Sequence, residues 1–346
     1  MYWWQYILFP FALIFHLITW IRNRLFDQKL YKSVAFDTNV ILVGNLSIGG
    51  TGKTPMIDYF IRYFDRREIQ CGMMSRGYGR KTHGFRLAGK LESAETIGDE
   101  PFMYHHKYEG RIPVAVGEDR MLAITEYLSL RPELDVILMD DGFQHRTVAP
   151  SVSLLLTTYN NPFTADFMLP AGRLRESRDG AERANFIIVT KCPDHMSDSE
   201  MVVYRHRISK YTDAKVFFMK TVYEEIKPIF DDVPPLTRQI VAISGMANSQ
   251  PFESYLRSKF SVKLVHNYRD HYRYKEQDVR DIIRELKPGI SLVCTEKDKV
   301  KLQQFEELRK YPCYYLPISM EFLRDEGLFQ NSLESYLNYT NKDGND

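Results

Sequence analysis

The chain has 346 residues, 44% of them hydrophobic, enough to bury a sizeable core, and its length favours two domains. Lys and Arg total 46 against 45 Asp and Glu, a net charge of +1 that supplies no global field for a nucleic-acid partner. Cys71, Cys192, Cys294 and Cys313 lie far apart without paired spacing, which argues against a zinc site and for a reduced, cytosolic setting.

The N-terminus reads Tyr2-Trp3-Trp4-Gln5-Tyr6, stays almost wholly apolar from Ile7 to Ile21, and turns basic at Arg22-Asn23-Arg24. As a helix the uncharged run is about 24 Å long, short of a ~30 Å hydrocarbon core, and Pro10 and His16 interrupt it. No positive segment precedes it and no small-residue cleavage site follows, which argues against a signal peptide. Trp3, Trp4 and Trp20 suit a headgroup boundary and the arginines suit lipid phosphates. Residues 1–24 are therefore expected to dip into one leaflet without spanning it. The alternative is a helix that merely packs on its own domain.

Val40 to Val43 is a β-branched apolar run, expected as a buried strand. Gly44-Asn45-Leu46-Ser47-Ile48-Gly49-Gly50-Thr51-Gly52-Lys53-Thr54 follows, then a helix from Pro55 through Asp65. Strand, glycine loop ending in Gly-Lys-Thr, then helix is the context a phosphate-binding P-loop requires. Glycines let backbone N–H groups face the phosphates, and the helix N-terminus adds partial positive charge. Lys53 would reach the β- and γ-phosphates and the Thr54 hydroxyl would hold Mg²⁺. Ser47 stands where the generic motif has its first glycine.

A second strand is expected over 69–74, running into the basic loop Ser75-Arg76-Gly77-Tyr78-Gly79-Arg80-Lys81. That loop is either solvated or a binder of an anionic group. Gly98-Asp99-Glu100-Pro101 reads as a turn or a helix start. A strand over 112–116 precedes Asp119-Arg120, which opens the next helix; Arg120 is either a phosphate clamp or a surface charge. Asp135 to Gly142 is an apolar strand ending in Asp140 and Asp141, the form of the second P-loop element, whose Asp holds the Mg²⁺ shell. Phe143-Gln144-His145 continues it as a polar loop.

Further strands are expected over 152–157 and 185–190, with Leu169 to Glu176 between them as a loop carrying Arg173 and Arg175. This succession predicts an α/β fold, a mostly parallel sheet with helices on both faces, whose strand ends collect ligands. From Val222 to Arg238 the pattern breaks at Pro228, Pro234 and Pro235, expected as a connection. Strands over 239–244, 262–266 and 290–294 then form a second, smaller α/β unit. The expected division is 1–24, 25–221, a linker 222–238, 239–340 and a disordered tail 341–346. Asn267 to Tyr272 makes an aromatic loop containing His271, and Thr295-Glu296-Lys297-Asp298 follows the last strand as a candidate helix cap.

Taken in order, Gly44 to Pro55, Ser75 to Arg80, Gly98 to Pro101, Asp140 to His145, Leu174 to Glu176, Asp270-His271 and Thr295 to Asp298 resemble the tetraacyldisaccharide 4′-kinase family. These are the lipid A 4′-kinases of Gram-negative bacteria, and the likeness runs from about Trp3 to Leu316. It implies two α/β domains joined by a thin linker. The γ-phosphate of ATP would go to the 4′-hydroxyl of an acylated disaccharide 1-phosphate at the cytoplasmic face of the inner membrane.

The resemblance implies that Asp99 orients or deprotonates the hydroxyl with His271 as its partner, while Lys53 stabilises the γ-phosphoryl group. Thr54, Glu100, Asp140 and Asp141 would surround Mg²⁺. Ser47 to Thr54, with Ile48, Gly49, Gly50, Thr51 and Gly52 between, would hold ATP, joined by Arg76, Arg120, Gln144 and Arg175. A monomer at a membrane surface without nucleic acid is expected. Two rivals stand beside this reading: a P-loop kinase of a soluble metabolite, and a GTPase-like switch hinted at by Thr190-Lys191-Cys192-Pro193-Asp194.

Overall fold

The computed structural model describes residues 3–337, so the tail 341–346 lies outside the described residues, as do the side chains of Trp3 and Trp4. Helix α1 (Trp3–Asp27) runs unbroken past Pro10. Then come β1 (Asn39–Asn45), α2 (Lys53–Asp65), β2 (Cys71–Ser75), β3 (Arg86–Leu87), α3 (Ala94–Ile97), α4 (Asp99–Lys107), β4 (Val114–Val116), α5 (Arg120–Leu130) and β5 (Val136–Asp140). After β6 (Val152–Thr158), β7 (Phe186–Thr190), α6 (Asp198–Ile208) and β8 (Lys215–Tyr223), the chain leaves for a second unit. That unit contains β9 (Lys227–Pro228), β10 (Gln239–Ser244), α7 (Gln250–Lys259), β11 (Ser261–Asn267), α8 (Glu276–Glu285), β12 (Ile290–Thr295), α9 (Glu296–Leu302) and β13 (Cys313–Leu316). The last described elements are β14 (Ile318–Phe322) and α10 (Glu326–Glu334).

The larger sheet has the order β14-β8-β7-β6-β1-β5-β2-β4-β3. From β8 to β4 its strands run parallel, and only the two edge strands are antiparallel. Strand β1 is buried along its whole length because side chains alternate between two covered faces. Ile41 and Val43 meet Met56, Phe60 and Phe64 of α2, whereas Val40 and Leu42 meet Ile124 and Tyr127 of α5. Each of these buried large side chains contributes roughly 1.5–3 kcal/mol over its exposed state. From β1 the chain passes through α2 to β2 on one side, while β6 pairs on the other. The loop after β1 therefore opens at the sheet's switch point, where ligands collect.

The smaller sheet, β11-β10-β12-β13-β9, is parallel apart from β9. Its faces are covered by α8 and α7 respectively.

The structure corrects the expected division in two places. Lys227 and Pro228, placed in the linker, pair with Tyr315 and Tyr314 of the smaller sheet. Ile318–Phe322, placed in the smaller unit, returns to pair antiparallel with β8, and α10 buries Phe329 and Leu333 in the larger core. The smaller unit is thus inserted within the larger one. Strand β14 covers the outer edge of β8, which would otherwise present unpaired backbone groups.

Candidate active site

The expected helix start at Pro55 is also corrected: α2 begins at Lys53, so Pro55 occupies its third position. Proline is tolerated there because first-turn N–H groups lack intrahelical partners. Those free donors are what polyphosphate oxygens can satisfy. Ahead of them the chain turns through Gly49 (φ 108°) and Gly52 (φ 90°), conformations that L side chains resist. The rim between is held from both sides. The Thr51 hydroxyl accepts from Asn45 Nδ2 at 2.8 Å, and the Thr51 carbonyl accepts from the Thr190 hydroxyl at 2.8 Å. Ile48 N–H donates to the Arg173 carbonyl at 2.8 Å, tying Ser47 and Ile48 to the loop that carries Arg175.

Lys53 Nζ lies 3.4 Å from Asp141 Oδ1, and the same carboxylate takes two bonds from Arg175, at 2.7 and 3.2 Å. Arg175 also reaches the Asn45 side chain. Against the upward push of burial, the bond from Arg175 and the charge of Lys53 hold the Asp141 carboxyl well below its usual range. Asp141 is therefore spent on two cations, an internal stand-in for the anion that Lys53 and Arg175 would otherwise meet.

Asp140 is the opposite case. It is 1% exposed and its Oδ1 has no hydrogen-bond partner. Burial, then the neighbouring charge of Glu100, pushes its carboxyl up to about 7, with Lys53 pulling the other way. A buried, unpartnered carboxylate beside two further acids is a site that a divalent cation would relieve. Among the described residues no three acidic, histidine or cysteine side chains converge on one point. Mg²⁺ takes one or two carboxylates and completes its shell with water and phosphate oxygens, and buried Asp140 beside Glu100 supplies carboxylates of that kind.

Glu100 is set by α4, which opens after Gly98 (φ 95°) with Asp99, Glu100 and Pro101 as its first three residues. A Cβ on Gly98 would come within 3.0 Å of the Gly77 backbone, so glycine is needed for the β2 loop and α4 to touch. Tyr104 of α4 donates to the Thr54 carbonyl at 2.8 Å, locking α4 against the first turn of α2.

The smaller unit closes over the start of α4. His271, at φ 58°, places Nδ1 3.0 Å from Asp99 Oδ2, and Lys301 Nζ lies 2.7 Å from the same oxygen. Burial pushes the Asp99 carboxyl up, yet the His271 and Lys301 bonds outweigh it and hold it down at about 2. The basic loop after β2 is not merely solvated: Tyr78 packs its ring 5.4 Å from that of His271, and Arg273 donates to the Gly79 carbonyl at 3.2 Å.

Arg120 is 1% exposed, with Nη1 on the Gly117 carbonyl and with Nε and Nη2 unpartnered. Burial and then the charge of Arg76 push it down to about 10. Arg76 is exposed, and its charge is felt at Arg120, so two cations neighbour one another here. Gln144, expected at the nucleotide, instead spends its amide on the Asn45 carbonyl and on Glu176, both at 2.9 Å.

Lys301 escaped the sequence reading, as did Lys297, which approaches Glu100 at 3.7 Å. Glu296-Lys297-Asp298-Lys299-Val300-Lys301 reads as a solvated helix face. The available signal was the Thr295-to-Asp298 cap, which the structure shows anchoring α9: the Thr295 hydroxyl accepts from Asp298 N–H at 3.2 Å.

A P-loop at a sheet switch point, a buried strand-end acid and a second acid gripped by a histidine and a lysine of a second unit define a P-loop phosphotransferase of two lobes. The family described as LpxK, tetraacyldisaccharide-1-P 4′-kinase, matches residues 4–338. The chain is 41% identical to the tetraacyldisaccharide 4′-kinase of Flavobacterium psychrophilum, covering 97% of this chain and 98% of that one. It is 39% identical to the kinase of the same name from Flavobacterium johnsoniae, over 96% of each. Among solved structures it resembles LpxK from Aquifex aeolicus in complex with ATP, with a TM-score of 0.76, 27% identity, and coverage of 96% and 99%. The chain belongs to the tetraacyldisaccharide 4′-kinase family.

Proposed function

We propose that the protein transfers the γ-phosphate of ATP to the 4′-hydroxyl of a tetraacyldisaccharide 1-phosphate, a step of lipid A biosynthesis. Family membership over nearly the whole chain supports this activity and disfavours both rivals. The observation that carries the residue roles is the pairing of Asp99 with His271 at 3.0 Å across the two units, beside the P-loop and Asp140.

Phosphoryl transfer passes through a loose transition state, so positioning and charge neutralisation do most of the work. The turn of Ser47 to Thr54 cradles the ATP phosphates. Lys53 turns from Asp141 to the γ-phosphoryl oxygens, and Arg175 follows the same anion. Asp140 and Glu100, with the Thr54 hydroxyl, would hold Mg²⁺, while Asp141 supports Lys53. When bound, the metal neutralises polyphosphate charge. Arg120, with two free donors, and Arg76 receive further anionic oxygens.

Asp99, held down at about 2, is a poor proton carrier but a good hydrogen-bond acceptor. It aligns the sugar hydroxyl, whose proton becomes acidic and passes to Asp99 late, as the sugar oxygen bonds to phosphorus and the bond to the ADP oxygen breaks. His271 orients Asp99 from the smaller unit.

Among the described residues no helix is long and apolar enough to cross a membrane. Helix α1 nonetheless exposes Ile7, Phe11, Leu13, Ile14, Leu17, Ile18 and Trp20. It docks on the larger unit by polar bonds, Gln5 to the Ala171 carbonyl and Asn23 to Glu176, both 2.9 Å. Beside it lies a groove of about 310 Å³ lined by Phe9, Leu13, Phe167, Met168 and Leu174. This apolar surface supports peripheral attachment to the cytoplasmic face of the inner membrane, where the lipid acceptor resides.

The test is to incubate purified protein with ATP, Mg²⁺ and tetraacyldisaccharide 1-phosphate in detergent micelles. A bis-phosphorylated lipid is expected; ATP turnover without one, or strict GTP use, would overturn the reading.

A further inference from the structure

Helices α4 and α9 belong to different units and are zipped antiparallel by charge. Asp99 and Glu100 at the start of α4 meet Lys301 (2.7 Å) and Lys297 (3.7 Å), while Lys107 at its end meets Glu296 (3.0 Å) at the start of α9. Within that zipper one contact acts on the reacting end. Lys301 Nζ and His271 Nδ1 both address Asp99 Oδ2, from two elements of the smaller unit. Lys301 also donates to the Tyr272 carbonyl at 3.0 Å, next to His271, so one ammonium fixes both members of the pair.

Its own position is secured from below. Asp298, one turn earlier on α9 and fully buried, accepts from Gly245 N–H (2.8 Å), from the Tyr274 hydroxyl (3.0 Å) and from the Thr295 hydroxyl (2.6 Å). The Lys301 side chain is itself only 7% exposed. A lysine this enclosed loses its rotamer freedom and most of its water, a cost that a solvated surface role would not require.

We propose that Lys301 is a positioning residue for phosphoryl transfer: it and His271 hold Asp99 through Oδ2 so that Oδ1 is left for the acceptor hydroxyl. The assignment rests on the role given above to Asp99. An acceptor held by one oxygen at two points has its other oxygen aimed, and an error of about an ångström in that aim costs about a hundredfold in rate. Lys301 touches neither the nucleotide nor the sugar in this scheme. It acts on the chemical step through Asp99 and makes no contribution to ATP affinity.

The test is steady-state kinetics of the full chain in mixed micelles with ATP, Mg²⁺ and tetraacyldisaccharide 1-phosphate. Lys301→Met keeps the aliphatic stem that packs in the interface, and Lys301→Ala is the second variant should the methionine disturb folding, which circular dichroism reports. A fall of about 10- to 100-fold in kcat, with KM for ATP within about twofold, is expected for either variant. Placed on Asp99→Ala, the Lys301 change should add less than about twofold, because both act at one point. Normal kcat in both Lys301 variants beside a crippled Asp99→Ala would overturn the role of Lys301 alone. A large rise in KM for ATP, or losses that multiply in the double variant, would also overturn it. Normal turnover in Asp99→Ala would overturn the assignment of Asp99 itself, and this one with it.

Discussion

Asn23, near the end of the N-terminal helix, donates a 2.9 Å hydrogen bond to Glu176 Oε2, an oxygen that also accepts from Arg183 at 2.9 Å. The other oxygen of Glu176 accepts from Gln144, which in turn holds the Asn45 carbonyl at the mouth of the P-loop. A fully buried carboxylate thus joins the helix expected at the membrane to the strand that ends in the nucleotide loop. Glu176→Ala would leave the Arg183 guanidinium without its anion. Breaking such a pair costs about 3 kcal/mol, to be read as a lowered urea midpoint. An unchanged midpoint would show that the network contributes nothing net.

The acid at the end of β5 predicts an unusual response to pH. In the folded chain burial and Glu100 raise Asp140 to about 7 from an ordinary 3.8, so the folded state holds the proton more tightly than the unfolded one. This contribution is fully present below about pH 4, is lost as pH rises through about 7, and is flat above. Melting temperatures of metal-free protein, taken relative to Asp140→Asn, should therefore climb as pH is lowered from 8 to 6. Half-buried His145, pushed down to about 4, works against the climb equally in both proteins and cancels in the comparison. Mg²⁺ competes with the Asp140 proton, so its apparent affinity should weaken over the same interval, which titration calorimetry with ATP present can follow. The depressed Asp99 works in the opposite sense, between about pH 4 and 2, and leaves that interval untouched.

Lys53→Ala removes the one cation on the first turn of α2 that faces Asp141. Loss of a transition-state donor typically costs 10²–10³-fold in kcat, and a deficit of about that size is expected in the lipid assay. Binding of ATP should weaken as well, since the lysine meets the phosphates before and during transfer. Turnover within threefold of the parent would remove Lys53 from the mechanism.

Leu17→Glu together with Ile18→Glu places two charges on a face where the native side chains are 54% and 60% exposed. Neither packs in the core, so the thermal midpoint should move by less than about 0.5 kcal/mol equivalent per site. Co-sedimentation with anionic phospholipid vesicles should drop at least tenfold, because each buried apolar side chain is worth roughly 1.5–3 kcal/mol. Equal sedimentation of the variant would rule out attachment through this helix.

Much of the larger unit was legible because its signals are local. The β1 run, the glycine loop and the Asp140 strand each carry their meaning within a dozen residues, and the strands expected there appear within about two residues of expectation, whereas β3 and β8 had no counterpart in the sequence reading. What escaped depends on contacts made far along the chain. Ile318–Phe322 follows β13 so closely that continuity suggests one unit, yet its partner is β8, nearly a hundred residues earlier. Lys301 lies in a lysine-rich stretch where any of three could face water, and the approach of α4 singles it out. Asp141 looked like a metal ligand by adjacency to Asp140; its left-handed backbone (φ 49°) turns it toward Lys53 and Arg175 instead. Gln144 was legible as part of a polar loop, but its bond to a buried Glu176 required the fold.

The return of β14 to the edge of β8 has a consequence for how the protein is made and how it moves. Tyr223 sits opposite Ile318, so the outgoing and incoming chains cross between the lobes side by side. Two adjacent straps permit a swing about their common line while resisting twist, which would bring Lys301 and His271 back to Asp99 in one register at each closure. On the ribosome, the catalytic lobe keeps a raw flank until β14 has emerged, so a chain stopped after β13 would carry every motif named above and still lack a finished sheet.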